Sequence, residues 1–466
     1  MKEKTKKGTL VENAVKGINR RDFLKGAALS ALSVTSLGML AGCGPTDKDD
    51  ESSKGAKTVT YVLPEREGKL TLEEINALRK QYVDSKEEYV CEDGTVIPAV
   101  YVKLRALLNT YGNGAGSEVH DASFGEVMYL FSEEEAQAYL EMPYGVRFTA
   151  TDFAVESGRD EEECLKLCED LAKRGLLKRL RRGGVTFFHH LAPAHGIWEY
   201  ALLRKENQNL EYVKKHKSMW GADIKNDLYN AGTPFYYPIP VDKEIVVEDE
   251  VLPYDDYEKI IRRNSIIAVS TCQCRMGQDI DGTRDPNCNH PMETCMTTGE
   301  QAAFYIENGI GRQIDQEEAL QILRRSVEAG MVLQSCHTKN TEVICSCHGD
   351  CCDILRSYRA IGGENFDKLN IADVINHYRL QYEKDKCVKC GRCKDICPMS
   401  VITMDDEGYS VTGSPCLRCG QCALVCPTKA RMLKQRENVD LRKMPDTLLD
   451  DYNLKAEFRF RNNMIK

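Results

Sequence analysis

Apolar positions recur at helical spacing through much of the first half of the chain. Over Thr71 to Ser85, Leu72, Ile75 and Leu78 fall on one side, which predicts a helix. Phe131 to Leu140 begins Ser132-Glu133-Glu134-Glu135, a capping residue followed by early acids. Thr149 to Leu177 carries two further amphipathic helices, the second with Cys164, Leu165, Cys168, Leu171 and Ala172 along its apolar side. The period then shortens. Leu176 to Arg182 and Val185 to His189 predict two strands around the Gly183-Gly184 turn, and Thr58 to Leu63 predicts a short strand near the start. Further on, Tyr254 to Arg263 predicts a helix, Ser265 to Ser270 a buried strand, and Asp315 to Ala329 a helix capped by Asp315 with Glu318 closing a capping box. Glu92-Asp93-Gly94 marks a turn. Gly112 to Gly116 is a glycine-rich loop without the strand-to-helix setting of a nucleotide site.

These elements predict a multidomain α+β protein. The boundaries fall at 1–43 and 44–57 (leader and linker), 58–130 (an α+β region), 131–200 (helices and a hairpin) and 201–253 (a linker region). A cysteine-rich α/β domain follows at 254–380, then a second cysteine-rich module at 383–437 and a tail at 438–466. The linker reading rests on Gly232 to Pro240, rich in Pro and aromatics, and on acidic Glu244 to Glu250. Three helices and a two-stranded wing over 131–200 resemble a winged-helix domain. Lys178, Arg179, Arg181 and Arg182 then read as solvated wing residues, Cys164 and Cys168 as core thiols, and His189, His190 and His195 as structural or surface histidines.

Composition narrows the class. Apolar residues make up 42% of the 466 and charged residues 29%, as in folded soluble proteins. No uninterrupted apolar run is long enough for a multi-span membrane protein. Net charge is −9, and the first 42 residues hold eight Lys/Arg against three Asp/Glu, so the remainder is more acidic still. An acidic body disfavours nucleic acid as a partner.

The N-terminus reads as an address. Lys2, Lys4, Lys6, Lys7 and Lys16 precede Arg20-Arg21-Asp22-Phe23-Leu24-Lys25, and a mildly apolar Ala/Ser/Leu/Gly stretch runs from Gly26 to Gly42. The pattern resembles a twin-arginine export signal, with Asn19 where Ser or Thr is usual. Leu40-Ala41-Gly42-Cys43 resembles a lipoprotein box, which implies a lipid on Cys43 and a place on the extracytoplasmic face of the membrane. Pro45 to Lys57 is polar, as a tether is. Exported cysteines usually pair as disulfides. The resemblance implies export of an already folded, cofactor-loaded chain, which permits thiolate clusters outside the cytoplasm.

The 21 cysteines carry the chemistry. Cys387, Cys390, Cys393 and Cys397 followed by Pro398, and Cys416, Cys419, Cys422 and Cys426 followed by Pro427, are two copies of C-x2-C-x2-C-x3-C-P at a 29-residue period. The repeat closely resembles the bacterial two-cluster ferredoxins. Three closely spaced thiolates wrap one side of a [4Fe-4S] cubane, and the family pattern takes the fourth from the other repeat. The resemblance therefore implies one cluster on Cys387, Cys390, Cys393 and Cys426, a second on Cys416, Cys419, Cys422 and Cys397, and single-electron transfer. Gly391 and Gly420 bring backbone close to each cluster.

A second group is harder to read. Cys272, Cys274, Cys288 and Cys295, with Arg275 and His290, precede Cys336-His337 and then Cys345, Cys347, His348, Cys351 and Cys352. Four readings stay open: further iron–sulfur clusters, zinc, disulfides, or a catalytic thiol site. Arg275 and His348 fit either hydrogen bonding to a cluster or an anion, or surface ion pairing. Together with the ferredoxin module, this region resembles a group of anaerobe proteins known only as 4Fe-4S binding proteins, through C-x-C-R, Glu293-Thr294-Cys295 and Ile344 to Cys352. That resemblance implies cofactors and a redox partner protein, either a membrane electron donor or a reductase, but no reaction. The expected role is an iron–sulfur electron carrier in an extracytoplasmic anaerobic redox chain; the alternative is a reductase whose active site lies among the middle cysteines.

Overall fold

The computed structural model describes residues 69–116, 119–220, 231–246, 255–361, 371–436 and 444–465. The arginine pair, Cys43, the tether and the strand expected at Thr58 to Leu63 lie outside the described residues. Two compact units are present. The larger holds Thr58–Leu180 and Thr186–Lys466; of the smaller, Met1–Lys57 with Arg181–Val185, only the hairpin tip is described. Among the described residues no helix is long and apolar enough to cross a membrane.

The helices begin where side chains satisfy their first amides. Thr71, Ser132 and Thr149 each close a capping box, on the helices Leu72–Asp84, Glu133–Glu141 and Ala150–Ser157. Leu72–Asp84 buries Ile75, as the periodicity predicts, together with Arg79 and Val83, and leaves Leu72 exposed; Arg79 reaches Thr110 and Asn453 from within the packed face. Glu161–Arg174 buries Cys164, Cys168 and Leu171. The strands Leu177–Arg182 and Val185–His190 pair after it. Lys178 and Arg179 are buried, not solvated, because their strand is covered by the helix Gly299–Glu307. Lys178 bonds Gln301 and lies over the Phe304 ring; Arg179 binds Glu169 at 2.5 Å and Asn308 at 3.0 Å. Burial pushes the Lys178 amine down to about 8.

The middle of the chain builds one six-stranded antiparallel sheet. Its order is Tyr236–Ile239, Val332–Cys336, Val343–Cys347, Glu293–Thr298, Ile267–Thr271 and Arg312–Ile314. Residues 201–253 are therefore not merely a linker. They supply the helix Leu210–Trp220 and the sheet strand Tyr236–Ile239, all four of whose residues are buried. Strand alternation separates two faces. Val269, Met296, Leu333 and Ile344 pack against Ile260, Leu320 and Leu323 of the helices Tyr257–Arg263 and Gln316–Glu328. Asp315 caps the latter helix through the Glu318 amide, but the Glu318 carboxylate turns to Arg312 at 2.8 Å instead of closing a box. Cys295, Cys345 and Cys347 occupy the alternate positions on their strands.

The described part of the C-terminal tail is ordered into a helix, Leu448–Arg461, whose buried Lys455 pairs with Asp451 at 2.6 Å and whose buried Arg459 donates to the Asn109 carbonyl at 2.6 Å.

Candidate iron–sulfur domain and cysteine chamber

The two C-terminal cysteine loops repeat in backbone as well as in sequence. Lys389 and Arg418, Gly391 and Gly420, and Ser400 and Lys429 all take positive φ, each pair 29 residues apart. Short helices follow at Arg392–Asp395 and Gln421–Leu424, again 29 apart. A left-handed residue between the first two cysteines turns the loop so that neighbouring thiols converge. Strands Tyr378–Tyr382 and Arg431–Gln435 pair across the ends of the module, and Ile402–Met404 pairs with Ser410–Thr412 between the loops.

Each loop encloses a small cavity. Cys387, Cys390, Cys393 and Cys426 line one; Cys416, Cys419, Cys422 and Cys397 line the other. Four thiols from two repeats thus converge twice, a donor set suited to [4Fe-4S] clusters. The cavities differ in setting. Cys390 is exposed and Cys422 is buried. Burial pushes the Cys422 thiol up to about 12 and also raises Cys416 and Cys419. Arg431, itself buried, borders the first cavity and is fixed by Ser410 and Thr412.

Six of the nine middle cysteines, Cys272, Cys274, Cys295, Cys345, Cys347 and Cys352, line a single chamber of about 460 Å³. The sheet explains the convergence. Cys295 and Cys345 sit on neighbouring strands, and Cys272 and Cys352 immediately precede the helices Gln273–Asp281 and Asp353–Ile361. Helix N-termini favour nearby thiolates. Arg275 is fully buried among them. It donates to the Ser346 carbonyl at 3.4 Å, lies 3.7 Å from Cys351 Sγ and bonds Thr294. Burial opposes its charge, but Cys272, Cys351 and Cys347 together hold it protonated. Surface ion pairing is therefore not its role. A hydrogen bond from Cys345, with the His195 charge nearby, holds the Cys295 thiol below its usual range.

Cys288 and Cys351 do not join the chamber. They lie with His290 and Asp350 in a separate group whose ligand atoms are all within 4.8 Å of one another. Cys336 stays in the core, with its sulfur 3.4 Å from Thr338 Oγ1. Every described cysteine is free.

The opposite wall of the chamber comes from segments that sequence reasoning gave no chemistry. His195 Nδ1 lies 3.4 Å from Glu199, Trp198 stacks on His216 at 3.5 Å, and Phe235 and Tyr236 close one side. Burial works against the His195 charge, but Glu199 and Cys295 raise its pKa on balance. Tyr236 Oη and His195 Nε2 are buried without a hydrogen-bond partner within the chain. The only signal in the sequence was aromatic and histidine residues clustered near 195–237.

Residues 386–430 match the 4Fe-4S dicluster domain family. An uncharacterized polyferredoxin-like protein of Methanocaldococcus jannaschii is 40% identical over 45 residues, 10% of this chain and 26% of that protein. The pyruvate synthase subunit PorD of Pyrococcus abyssi is 47% identical over 34 residues, 7% of this chain and 32% of its own length. The chain thus spans less than a third of the length of either relative. No solved structure matches. The protein is a mixed helix and sheet chain with a C-terminal 4Fe-4S ferredoxin-type domain.

Proposed function

We propose that this protein carries single electrons, with two [4Fe-4S] clusters in the ferredoxin domain serving a further iron–sulfur centre in the cysteine chamber. Bound clusters of this kind supply reversible one-electron storage. Cys387, Cys390, Cys393 and Cys426 would hold one, and Cys416, Cys419, Cys422 and Cys397 the other. Four of the six chamber thiols suffice for the third.

The observation that carries this reading is the junction between the two cysteine regions. The Gly349 amide, within the Cys345–Cys352 segment, donates to the Pro398 carbonyl at 3.1 Å. Cys397 and Cys419 pack against the same buried apolar cluster that contains Cys347, Cys352, Met399 and Leu417. These apolar groups exclude water from the junction, while buried Arg275 and Arg431 offset thiolate charge. The exposed loop at Cys390 is the face on which a redox partner docks, and the match to a pyruvate synthase subunit supports a partner of the oxidoreductase kind.

A second reading, a reductase acting at the chamber, is favoured by its volume and by the unpartnered Tyr236 Oη and His195 Nε2, which suit a small polar substrate. Iron and acid-labile sulfide per chain, on anaerobically purified protein with and without Cys345→Ser/Cys347→Ser, separate the two. About twelve irons, falling by about four with the substitutions, supports the relay. About eight in both removes the third centre and leaves the chamber as a thiol site.

The setting we propose is the extracytoplasmic face of the membrane. Asn19-Arg20-Arg21 and Leu40-Ala41-Gly42-Cys43 support export and lipid anchoring. Arg20→Lys/Arg21→Lys should retain the protein in the cytoplasm, and Cys43→Ser should release it from the membrane fraction. The helices and hairpin over 131–200 support a winged-helix scaffold that binds protein rather than nucleic acid, since Lys178 and Arg179 are buried and withheld from phosphate.

A further inference from the structure

Cys288, His290, Asp350 and Cys351 come from two loops that the sheet brings together. Cys288 and His290 lie between the helix Gln273–Asp281 and the strand Glu293–Thr298; Asp350 and Cys351 lie between the strand Val343–Cys347 and the helix Asp353–Ile361. The two strands are neighbours in the sheet, so their flanking loops meet at one end. Two sulfurs, one imidazole nitrogen and one carboxylate oxygen then lie within 4.8 Å of one another. A tetrahedral ion with bonds of about 2.0–2.3 Å needs its ligand atoms somewhat closer than this, within reach of small side-chain adjustments.

Independent features point to a cation. The His290 side chain is nine-tenths buried, and its Nδ1 has no hydrogen-bond partner within the chain. Its Nε2 lies 3.4 Å from Asp350 Oδ2. His348 Nδ1 lies 2.9 Å from Asp350 Oδ1 without hydrogen-bond geometry, so that carboxylate oxygen, like His290 Nδ1, has no hydrogen-bond partner within the chain. Arg275, 3.7 Å from Cys351 Sγ, and Arg284, which donates to the His290 carbonyl at 3.2 Å, balance the excess negative charge of two thiolates and a carboxylate around a divalent ion.

We propose that Cys288, His290, Asp350 and Cys351 form a mononuclear tetrahedral zinc site, distinct from the thiol chamber. The mixed soft and borderline donor set suits zinc. The ion would tie the 282–292 loop to the cysteine loop at Gly349 and so hold one wall of the chamber in register. Its role is structural, with all four positions taken by protein.

The test is zinc and iron per chain by elemental analysis of the full chain, purified anaerobically and offered equimolar Zn²⁺, for wild type, Cys288→Ser and His290→Gln. The expected result is about one zinc in wild type, roughly a tenfold weaker retention in each variant, and unchanged iron. Zinc-edge X-ray absorption of the wild type should show two sulfur and two nitrogen or oxygen neighbours. Visible iron–sulfur absorption reports whether each variant has folded, and His290→Gln keeps the test open if Cys288→Ser does not. Iron that falls with Cys288→Ser would assign the thiol to a cluster and overturn the proposal. So would a wild type that takes up no zinc, or zinc unaffected by both substitutions.

Discussion

The loop from Cys387 to Cys397 and the loop from Cys416 to Cys426 share cysteine spacing, left-handed positions and short helices, yet they sit in opposite surroundings. In the first, Val388 and Cys390 are exposed, and a Cβ on Gly391 would meet nothing within 4 Å. In the second, Leu417, Cys422 and Ala423 are buried, and Gly420 lies under Ile245 and Leu433. Gln421 is buried as well, donating to the carbonyls of Val327 and Met331 at 2.9 and 2.8 Å. The position of buried Arg431 falls to Ile402 in the other repeat. Spacing thus builds the cage, while the rest of the chain decides which cage meets solvent and which meets the interior. For a carrier, that asymmetry gives an outer end and an inner end.

Substituting one cysteine per cage tests the comparison most severely. Cys390→Ser and Cys419→Ser should each remove about four irons per chain. Only Cys419→Ser should also lower the thermal midpoint markedly, because that cage packs on the core shared with Cys347 and Cys352. Equal midpoints in the two variants would dissolve the distinction.

The glycines come next. A methyl on Gly420 overlaps Ile245 Cδ1 and adds left-handed strain, for a loss of about 2–3 kcal/mol in denaturant titration. Gly391→Ala carries the strain alone, about 1 kcal/mol, because its surroundings are open. Gln421→Ala removes the side-chain donor to the Met331 carbonyl and one of the donors to the Val327 carbonyl, which keeps the Gly330 amide, and should cost about 1–2 kcal/mol, whereas Arg392→Ala, at an exposed position one residue after Gly391, should cost less than about 0.5 kcal/mol.

The smallest effect should be electrostatic. Arg431→Met removes a buried cation beside the thiols and should lower the reduction potential of at least one cluster, on the order of 50 mV in protein-film voltammetry. No change would mean that the guanidinium serves only to join Ser410 and Thr412.

The same contrast separates what was legible in the sequence from what was not. The ferredoxin-type domain was legible because its cage is local: three cysteines, a left-handed turn and a short helix lie within eleven residues, and the fourth thiol follows from the repeat. The buried side of helix Glu161–Arg174 was legible for a similar reason, since periodicity alone picks out Cys164, Cys168 and Leu171. Lys178 and Arg179 defeated that kind of reading, and Lys455 is buried in the same way. Charge predicts exposure unless a partner from far along the chain covers it, and Gln301 for Lys178, Asn308 for Arg179 and the Pro234 carbonyl for Lys455 are such partners.

For the middle cysteines, the sequence determined only that many thiols crowd into two stretches. Which ones meet was decided by strand pairing. Alternation puts Cys345 and Cys347 on one side of their strand, the pairing of Ile344 with Met296 sets Cys295 beside them, and the loops beyond the strand ends draw Cys288 and Cys351 away toward His290 and Asp350. His195, Glu199 and Tyr236 reach the chamber from a helical region and a sheet strand that no local pattern connects to it. A motif confined to one loop is fixed by short-range geometry, whereas a site assembled from many separate segments exists only once the sheet has set their register.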